Sequence, residues 1–263
     1  MNDTRFAGKS VVITGGGSGI GLATAQRIAS EGGQVTLVGS TETRLAEGER
    51  VLRELVPGAD VLTTVADVAD ESAVSRMVAQ TLERFGRIDA LFNNAGYEGP
   101  LVPLHEYPTE DFERVVGVNL MGTFYAMKHV LPVMVEQGSG VIVNNSSVGG
   151  IRGFATRSAY SATKHGIIGL TRTAGAEYGA KGISVVALVP GAFTTPMSDA
   201  SLRRMAGEDW EAFRDAAAAT NPMRRFGHVD EAAALAAFLM SGEASYINGT
   251  AITIDGGQTE TFG

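Results

Sequence analysis

Short apolar runs rich in β-branched residues alternate along the chain with longer segments in which apolar residues recur at helical spacing. The short runs predict seven β-strands, at Val11–Thr14, Val35–Val38, Val61–Val65, Ile88–Phe92, Val141–Asn144, Ile183–Val189 and Ala251–Ile254. The longer segments predict helices at Ile20–Glu31, Thr43–Leu55, Glu71–Phe85, Glu110–Glu136, Ser158–Tyr178 and Asp230–Met240. Because apolar strands that alternate with helices are typical of a parallel sheet covered on both faces, we expect a doubly wound α/β fold with seven parallel strands.

The ends of these elements and one exceptional stretch refine the prediction. Asp70 and Thr109 are expected to cap the helices that follow them, and Pro132 is expected to kink or end the fourth helix. The stretch Thr194–Gly227 is polar, contains methionines and follows the sixth strand. We interpret it as a substrate flap on a single domain that spans residues 1–263, rather than as a second domain.

Charge and composition exclude several classes of function. The 263 residues carry a formal net charge of −8, which argues against binding of a nucleic-acid backbone. The chain contains no cysteine, so thiolate catalysis and disulfides are excluded, and the four histidines lack the spacing of metal ligands. Apolar runs are much shorter than the ~20 residues of a membrane span, and the first residues do not resemble a signal peptide. We expect a cytoplasmic protein with no metal, nucleic-acid or membrane partner.

A glycine-rich segment follows the first predicted strand directly and precedes a helix. It reads Thr14-Gly-Gly-Gly-Ser-Gly-Ile-Gly21. Glycines allow the backbone to turn sharply and to approach a pyrophosphate, whose charge is stabilised by the N-terminus of the helix. Since glycines also collect in ordinary turns, the position between a strand and a helix carries the prediction of a dinucleotide site.

The glycine spacing resembles that of the short-chain dehydrogenase/reductase family, and further motifs follow in the order of that family. They are Asp67-Val68 after the third strand, Asn93-Asn94-Ala95-Gly96 after the fourth, Asn119, Ser147 after the fifth, Tyr160-x-x-x-Lys164, and Pro190-Gly191 with Thr195 after the sixth. The resemblance covers nearly the whole chain. It implies a Rossmann-type fold and an oxidoreductase that uses NAD or NADP.

The resemblance also implies which residues bind the cofactor. They lie in the glycine loop, after the second to sixth strands, and on the helix that carries Tyr160. The set is Gly15, Ser18, Gly19, Ile20, Gly21, Gly39, Ser40, Thr41, Arg44, Asp67, Val68, Asn94, Ala95, Gly96, Tyr160, Lys164, Pro190, Gly191, Phe193 and Thr195.

Four residues form the candidate catalytic group. Tyr160 and Lys164 are four apart on a predicted helix and can face one cleft, although a Tyr–Lys pair also occurs on ordinary amphipathic helices. A nearby ammonium is expected to lower the pKa of the Tyr160 phenol, which makes the phenol a proton donor or acceptor. Ser147 can hydrogen-bond the carbonyl or alkoxide oxygen. By resemblance, Lys164 also holds the nicotinamide ribose, and Asn119 anchors a water relay to Lys164.

The segments around Tyr97, Ser147 and Thr195 look most like the levodione reductase group of the family, which interconverts cyclic ketones and secondary alcohols. Gly149 leaves room beside Ser147, and four residues can supply apolar walls or simply belong to the core: Tyr97, Ile151, Phe154 and Met197. Glu98 either orients a substrate hydroxyl or is solvated. An apolar pocket with one polar reaction point suits a small cyclic or aryl ketone.

Two other functions fit the same chain. A 3-oxoacyl-carrier reductase has a similar pattern, and it needs a basic surface that Lys128 and Arg172 could provide. A non-catalytic NAD(P)-binding regulatory protein shares the fold, but such proteins often lack the Tyr or the Lys, and both are present here.

Cofactor preference is read at the end of the second strand, where an acidic residue excludes the 2′-phosphate of NADP. Gly39 stands at this position, and the basic residue that usually marks a preference for NADP is also missing. The hydroxyls of Ser40, Thr41 and Thr43, together with Arg44, can accept a phosphate, whereas the levodione reductase resemblance implies NAD. We expect NADP(H) to be used at least as well as NAD(H).

Small and apolar residues on the helix of Tyr160 also predict a homotetramer. Gly166-Ile-Ile-Gly-Leu170, Ala174 and Gly175 allow the close approach of another helix, with packing inside the chain as the alternative. The family resemblance implies that such helices pair between subunits and that Asp255–Gly263 lies near another interface.

Overall fold

The computed structural model, which describes residues 4–259, contains one sheet of seven parallel strands in the order β3-β2-β1-β4-β5-β6-β7. The strands are Ser10–Thr14 (β1), Gln34–Gly39 (β2), Val61–Val65 (β3), Ala90–Asn93 (β4), Gly140–Asn145 (β5), Ile183–Pro190 (β6) and Ala251–Ile254 (β7). The predicted sheet is confirmed, and the strand ends differ from the prediction by at most two residues. Because the order reverses between β1 and β4, a crevice opens at their carboxyl ends.

Helices cover both faces of this sheet. They are Gly19–Ser30 (α1), Glu42–Leu55 (α2), Glu71–Phe85 (α3), Thr109–Val115 (α4), Gly122–Gln137 (α5), Ser158–Tyr178 (α6), Pro196–Ala206 (α7), Trp210–Ala219 (α8) and Val229–Met240 (α9). Val11 and Ile13 of β1 pack with α1, α2 and α9, whereas Val12 packs with α3, α5 and α6. This alternation explains why the inner strands are mostly apolar: both of their sides are buried, whereas the edge strands β3 and β7 are only partly buried.

The predicted fourth helix is the least regular part of the structure. A π-helical turn, Val116–Met121, joins α4 to α5. Thr109 is the first residue of α4 and follows the extended Pro108, so its prediction as the N-cap is wrong. Pro132 does not end α5, because a proline removes only one backbone donor and the neighbouring Leu131 is anchored in the core. Asp70 does cap α3, since its carboxylate accepts a hydrogen bond from the Ser72 N–H at 2.8 Å.

The stretch 194–227 folds into two helices, α7 and α8. Its two ends are joined, because the Thr194 N–H donates to the Gly227 carbonyl at 3.0 Å and the Gly227 N–H donates to the Ala192 carbonyl at 2.9 Å. Among the described residues of this pair, only Ser201 and Leu202 of α7 are buried, and none of α8. The pair therefore lies on the domain surface with little apolar area to hold it there.

Across residues 4–259, no helix combines the length and the apolar character needed to cross a membrane.

Candidate active site

The glycine loop connects β1 to α1 at the crevice between β1 and β4. Gly15 adopts a left-handed conformation with φ 64°, and a Cβ there would lie 2.9 Å from Nδ2 of Asn94. A Cβ on Gly21 would overlap the carbonyl oxygen of Gly15. Within the described residues, the Ser18 side chain makes no capping hydrogen bond, so the first N–H groups of α1 are available to an anion. The loop thus fits a dinucleotide diphosphate.

Asn94 fixes the shape of this loop. Its Nδ2 donates to the carbonyls of Thr14 and Gly15, at 3.1 and 3.2 Å. Its Oδ1 accepts a hydrogen bond from Nδ2 of Asn145 at 2.9 Å. Asn145 was not predicted as a site residue; its place at the end of β5, at the same edge of the sheet as Asn94, is the sequence signal that points to it.

The other residues predicted to bind the cofactor lie mostly at the carboxyl edge of the sheet. Gly39 ends β2 and Pro190 ends β6. Gly191 follows Pro190, and a Cβ on it would lie 2.7 Å from Cβ of Asp255. After β3 come Ala66, Asp67 and Val68, of which Ala66 and Val68 are buried and Asp67 is exposed. Phe193 differs, because its ring packs against Gly227 at the base of the flap.

Ser147 and Tyr160 meet beside Gly149. Ser147 follows β5, and its Oγ accepts a hydrogen bond from the Gly149 N–H at 3.1 Å. A Cβ built on Gly149 would lie 3.5 Å from Oγ of Ser147, 3.4 Å from Cε1 of Tyr160 and 3.3 Å from Cδ2 of Phe154. The nearby Ser147 hydroxyl also favours the ionised form of the Tyr160 phenol. The Ser147 hydroxyl and the rings of Tyr160 and Phe154 therefore converge beside Gly149, and a side chain at residue 149 would crowd all three.

Lys164 lies behind Tyr160 on the same helix. Its Nζ is 5.5 Å from the centre of the Tyr160 ring and donates to the carbonyl of Asn145 at 2.7 Å. Lys164 is buried, and this burial lowers the pKa of its ammonium from 10.5 to about 8.

The pKa of the Tyr160 phenol is raised, which is opposite to the direction predicted from Lys164. Burial is the largest cause and the charge of Glu98 adds to it, whereas the Ser147 hydrogen bond and the charge of Arg157 oppose it. The prediction considered the ammonium alone and neglected desolvation, which disfavours the phenolate. Tyr160 is therefore protonated at neutral pH and poised to donate a proton.

Asn119 lies in the π-helical turn and is fully buried. Its Oδ1 accepts a hydrogen bond from the Tyr97 N–H at 2.7 Å, and its Nδ2 donates to the Tyr97 carbonyl at 3.0 Å and to Thr163 at 3.1 Å. Asn119 therefore ties the loop after β4 to the helix of Tyr160. A Cβ on Gly96 would lie 3.6 Å from this Oδ1 and 3.7 Å from Nζ of Lys164, so both polar groups flank Gly96.

The residues predicted to contact substrate have different surroundings. Phe154 lies beside Gly149, whereas Ile151 and Met197 are 38% and 41% exposed and so are not core residues. Tyr97 is partly buried under the Arg114 guanidinium, 4.6 Å from its ring centre. Glu98 is buried and bound to two arginines, so the alternative that it is solvated is wrong.

The family model described as enoyl-(acyl carrier protein) reductase matches residues 15–259. Levodione reductase of Leifsonia aquatica is 47% identical over 259 residues, which cover 98% of this chain and 97% of that protein. A 2,5-dichloro-2,5-cyclohexadiene-1,4-diol dehydrogenase of Sphingobium indicum is 38% identical over 255 residues, covering 97% of this chain and 98% of that protein.

Solved structures are also similar to this chain over nearly its whole length. The crystal structure of levodione reductase has a TM-score of 0.96 and covers 98% of this chain and 100% of its own. An actinorhodin polyketide ketoreductase variant with NADPH has a TM-score of 0.91 at 34% identity, covering 99% of both chains. An NAD⁺-bound xylitol dehydrogenase has a TM-score of 0.90 at 35% identity, covering 95% of this chain and 99% of its own.

Proposed function

The chain belongs to the short-chain dehydrogenase/reductase family of NAD(P)-dependent oxidoreductases, and on that premise we propose that it interconverts a small cyclic or aryl ketone and its secondary alcohol. One observation carries this proposal: the Ser147 hydroxyl and the Tyr160 ring converge beside Gly149, 3.5 and 3.4 Å from where a Cβ of residue 149 would stand. A carbonyl oxygen bound between the Ser147 and Tyr160 hydroxyls would have two hydrogen-bond donors.

Each catalytic residue then has a distinct task. The Gly149 N–H occupies an acceptor position of the Ser147 oxygen, so the hydroxyl proton of Ser147 can be donated to the substrate oxygen. Tyr160, whose phenol is protonated at neutral pH, gives its proton to the oxygen as negative charge develops there. Lys164 stabilises the resulting phenolate and, with a pKa of about 8, can return a proton to it. When bound, the nicotinamide cofactor supplies or accepts the hydride at the carbon atom.

The apolar side chains near Gly149 support a cyclic or aryl substrate. Phe154 forms one wall beside Gly149, and the exposed Ile151 and Met197 remain free to contact a ligand. The name of the Sphingobium relative states a cyclic diol as its substrate, and levodione reductase is similar over nearly the whole chain. A flat apolar ring with one reacting oxygen matches both observations.

A steady-state assay distinguishes this function from its two alternatives. We expect NAD(P)H oxidation with substituted cyclohexanones at a kcat/KM at least about tenfold above that for an acetoacetyl thioester. The reverse order would favour a carrier-linked reductase, although Lys128, which such a carrier would contact, is paired with Glu71 at 2.6 Å. If neither substrate caused oxidation of NAD(P)H, the result would favour a non-catalytic cofactor-binding protein.

For the cofactor, we propose that NADP(H) is used at least as well as NAD(H). The Thr41 side chain, within residues 4–259, makes no capping hydrogen bond to α2, and Arg44 is exposed with its Cγ against Gly17. These groups can face a 2′-phosphate. The carboxylate of Glu42 in the same turn repels a phosphate. We therefore expect NADP(H) and NAD(H) to be used comparably, without a strict preference for NADP(H).

Replacing Gly39 by aspartate is expected to raise the NADH/NADPH ratio of kcat/KM by about tenfold or more, because the carboxylate repels the 2′-phosphate. A Cβ at Gly39 meets Leu45 at 3.4 Å, an ordinary contact, so the side chain fits. Gly39→Asn is the uncharged control of equal size and should leave the ratio nearly unchanged. An unchanged ratio in Gly39→Asp would show that residue 39 does not select the cofactor.

For the assembly, we propose a homotetramer in which α5 and α6 contact neighbouring subunits. Phe124 of α5 is apolar and exposed, and a Cβ on Gly169 of α6 would meet open space. Ala174 and Gly175, also predicted to contact another helix, pack within the chain instead, against the core and Gly249 respectively. Residues 260–263, the end of the second predicted interface, lie outside the described residues.

Light scattering of the purified protein is expected to give a mass near four times that of the 27.4 kDa chain at micromolar concentration. Replacement of Phe124 by glutamate should lower that mass, since a charge would enter an apolar interface. A stable species of one chain mass in the wild type would rule out the tetramer.

A further inference from the structure

Glu98, which follows β4, is the centre of a polar cluster outside the catalytic group. Its carboxylate accepts hydrogen bonds from Nε of Arg157 at 2.9 Å, from the Ser201 hydroxyl at 3.1 Å and from Arg204. The side chains of Glu98, Arg157 and Arg204 are 11%, 20% and 44% exposed. A carboxylate buried to this extent is tolerated because two guanidinium groups and a hydroxyl compensate it.

The members of this cluster come from three different parts of the fold. Arg157 directly precedes α6, which carries Tyr160 and Lys164. Ser201 and Arg204 lie on α7, the first helix of the flap, and Arg204 also donates to the carbonyl of Gly99 at 2.9 Å. Arg157 contacts α7 directly as well, through the Ser201 hydroxyl at 3.3 Å. The cluster therefore joins the flap, the loop after β4 and the start of the catalytic helix.

Besides this cluster, the flap is held at its far end, where Nδ2 of the buried Asn221 donates to the Asp255 carbonyl at 2.7 Å, and by little buried apolar surface. Leu202 is the one apolar residue of α7 and α8, as the structure describes them, that is buried. Segments with little buried apolar surface open at low free energy, so polar contacts decide how long such a segment stays closed. At its start, α7 lies near the glycine loop, where a Cβ on Gly19 would meet Thr195 at 3.6 Å.

We propose that Glu98 and Arg204 form a clamp that holds α7 closed against the start of the catalytic helix, and that both act as positioning residues for substrate binding. The clamp couples the position of the flap to the helix that presents Tyr160. Its kinetic consequence rests on the function proposed above, whereas its effect on the flap does not, so the two can fail separately.

Charge balance makes Arg204 the cleaner of the two residues to replace. Without Arg204, Glu98 keeps Arg157 and Ser201 as partners. Without Glu98, two guanidinium groups face each other unpaired, which destabilises more than the clamp. Arg204→Met keeps the apolar stem of the side chain and removes only the charged end.

Hydrogen exchange followed by mass spectrometry tests the clamp directly. In Arg204→Met we expect the amides within 196–202, which begin at Met197 because residue 196 is proline, to exchange about tenfold faster than in the wild type, with 164–178 of α6 unchanged. The matched control is Arg203→Met on the same helix, because Arg203 stacks on Trp210, 4.0 Å from its ring centre, inside the flap. The control should leave exchange in 196–202 within about twofold of the wild type.

Steady-state kinetics supply the second readout. Arg204→Met should raise the KM for the ketone about tenfold and change kcat by less than about threefold, since the clamp acts on binding and not on the reacting groups. If residues 196–202 exchanged at the wild-type rate in Arg204→Met, the clamp proposal would be overturned. It would also be overturned if Arg203→Met accelerated exchange in this segment by the same factor. Local acceleration without a rise in KM would overturn its role in substrate binding.

A pH profile of Glu98→Gln separates positioning from simple structural support. Nζ of Lys164 lies 5.5 Å from the Tyr160 ring centre, and the charges of Glu98 and Arg157 and the Ser147 hydroxyl also act on the phenol; the charge of Glu98 raises its pKa. The amide keeps the size of the side chain and removes that charge. The part of the alkaline limb that reports ionisation of the Tyr160 phenol, which lies above the Lys164 transition near pH 8, should therefore move to lower pH. An unchanged limb in a folded Glu98→Gln protein would contradict coupling between the clamp and Tyr160.

Discussion

Replacement of Tyr160 by phenylalanine is expected to lower kcat for ketone reduction by about 10²–10⁴-fold, the usual contribution of a positioned general acid. The ring still packs beside Gly149, whereas the proton that neutralises the developing alkoxide is gone. Cofactor affinity, measured by quenching of protein fluorescence, should stay within a few fold of the wild type. The effect on rate is therefore expected without a comparable effect on binding.

The matched control for this variant is Tyr178→Phe, at the end of the same helix. Tyr178 lies under Lys181, with Nζ 4.8 Å from its ring centre, and has no contact with Ser147 or Lys164 among the described residues. Its replacement should leave turnover nearly unchanged. Near-normal turnover in Tyr160→Phe would mean that another group, or water, supplies the proton.

Replacement of Lys164 by methionine is expected to lower kcat by about 10²–10³-fold and to change the pH dependence of the reaction. Burial lowers the pKa of the Lys164 ammonium to about 8. The ammonium is thus fully present below that pH and is lost as pH rises through it. Wild-type ketone reduction should fall by up to tenfold per pH unit above about pH 8.

The methionine variant has no ammonium to lose, so its residual activity should show no transition near pH 8. Lys181→Met provides a control on the exposed end of the same region and should keep the wild-type profile. A transition near pH 8 that persists in Lys164→Met would assign the titration to a different group.

The sequence predicts the sheet well because its strands are buried on both sides. In a run such as Val35–Val38, every residue is apolar or β-branched, and no helix of that length would bury all of them. The cap at Asp70 follows from local chemistry alone, since an Asp before an amphipathic segment satisfies an N–H of the first turn. Such features depend on residues that are neighbours in the chain.

Features that depend on distant residues were missed. The π-helical turn at Val116–Met121 keeps the apolar spacing of a helix, so the sequence alone did not separate α4 from α5. The raised pKa of Tyr160 comes from burial, which spacing does not report. Glu98 meets Arg157 and Arg204, which are 59 and 106 residues further along the chain, and no local pattern marks that meeting.

The candidate catalytic group could be predicted from the sequence only in part. Tyr160 and Lys164 share a helix face by spacing, whereas Ser147 reaches Tyr160 only because β5 and α6 pack side by side. The order of the family motifs in the sequence implies that juxtaposition. Asn145, which falls between two of the motifs, was overlooked although its carbonyl binds Lys164.

Transfer of deuterium from cofactor to substrate tests the central claim most directly. The wild-type enzyme, given NADPH or NADH labelled with deuterium at C4 and a panel of substituted cyclohexanones, should form a secondary alcohol that carries one deuterium on the carbinol carbon. Tyr160→Phe, under the same conditions, should form almost none. Absence of labelled alcohol with every ketone and both cofactors, in wild-type protein shown to bind the cofactor, would contradict hydride transfer to a cyclic ketone at Ser147 and Tyr160.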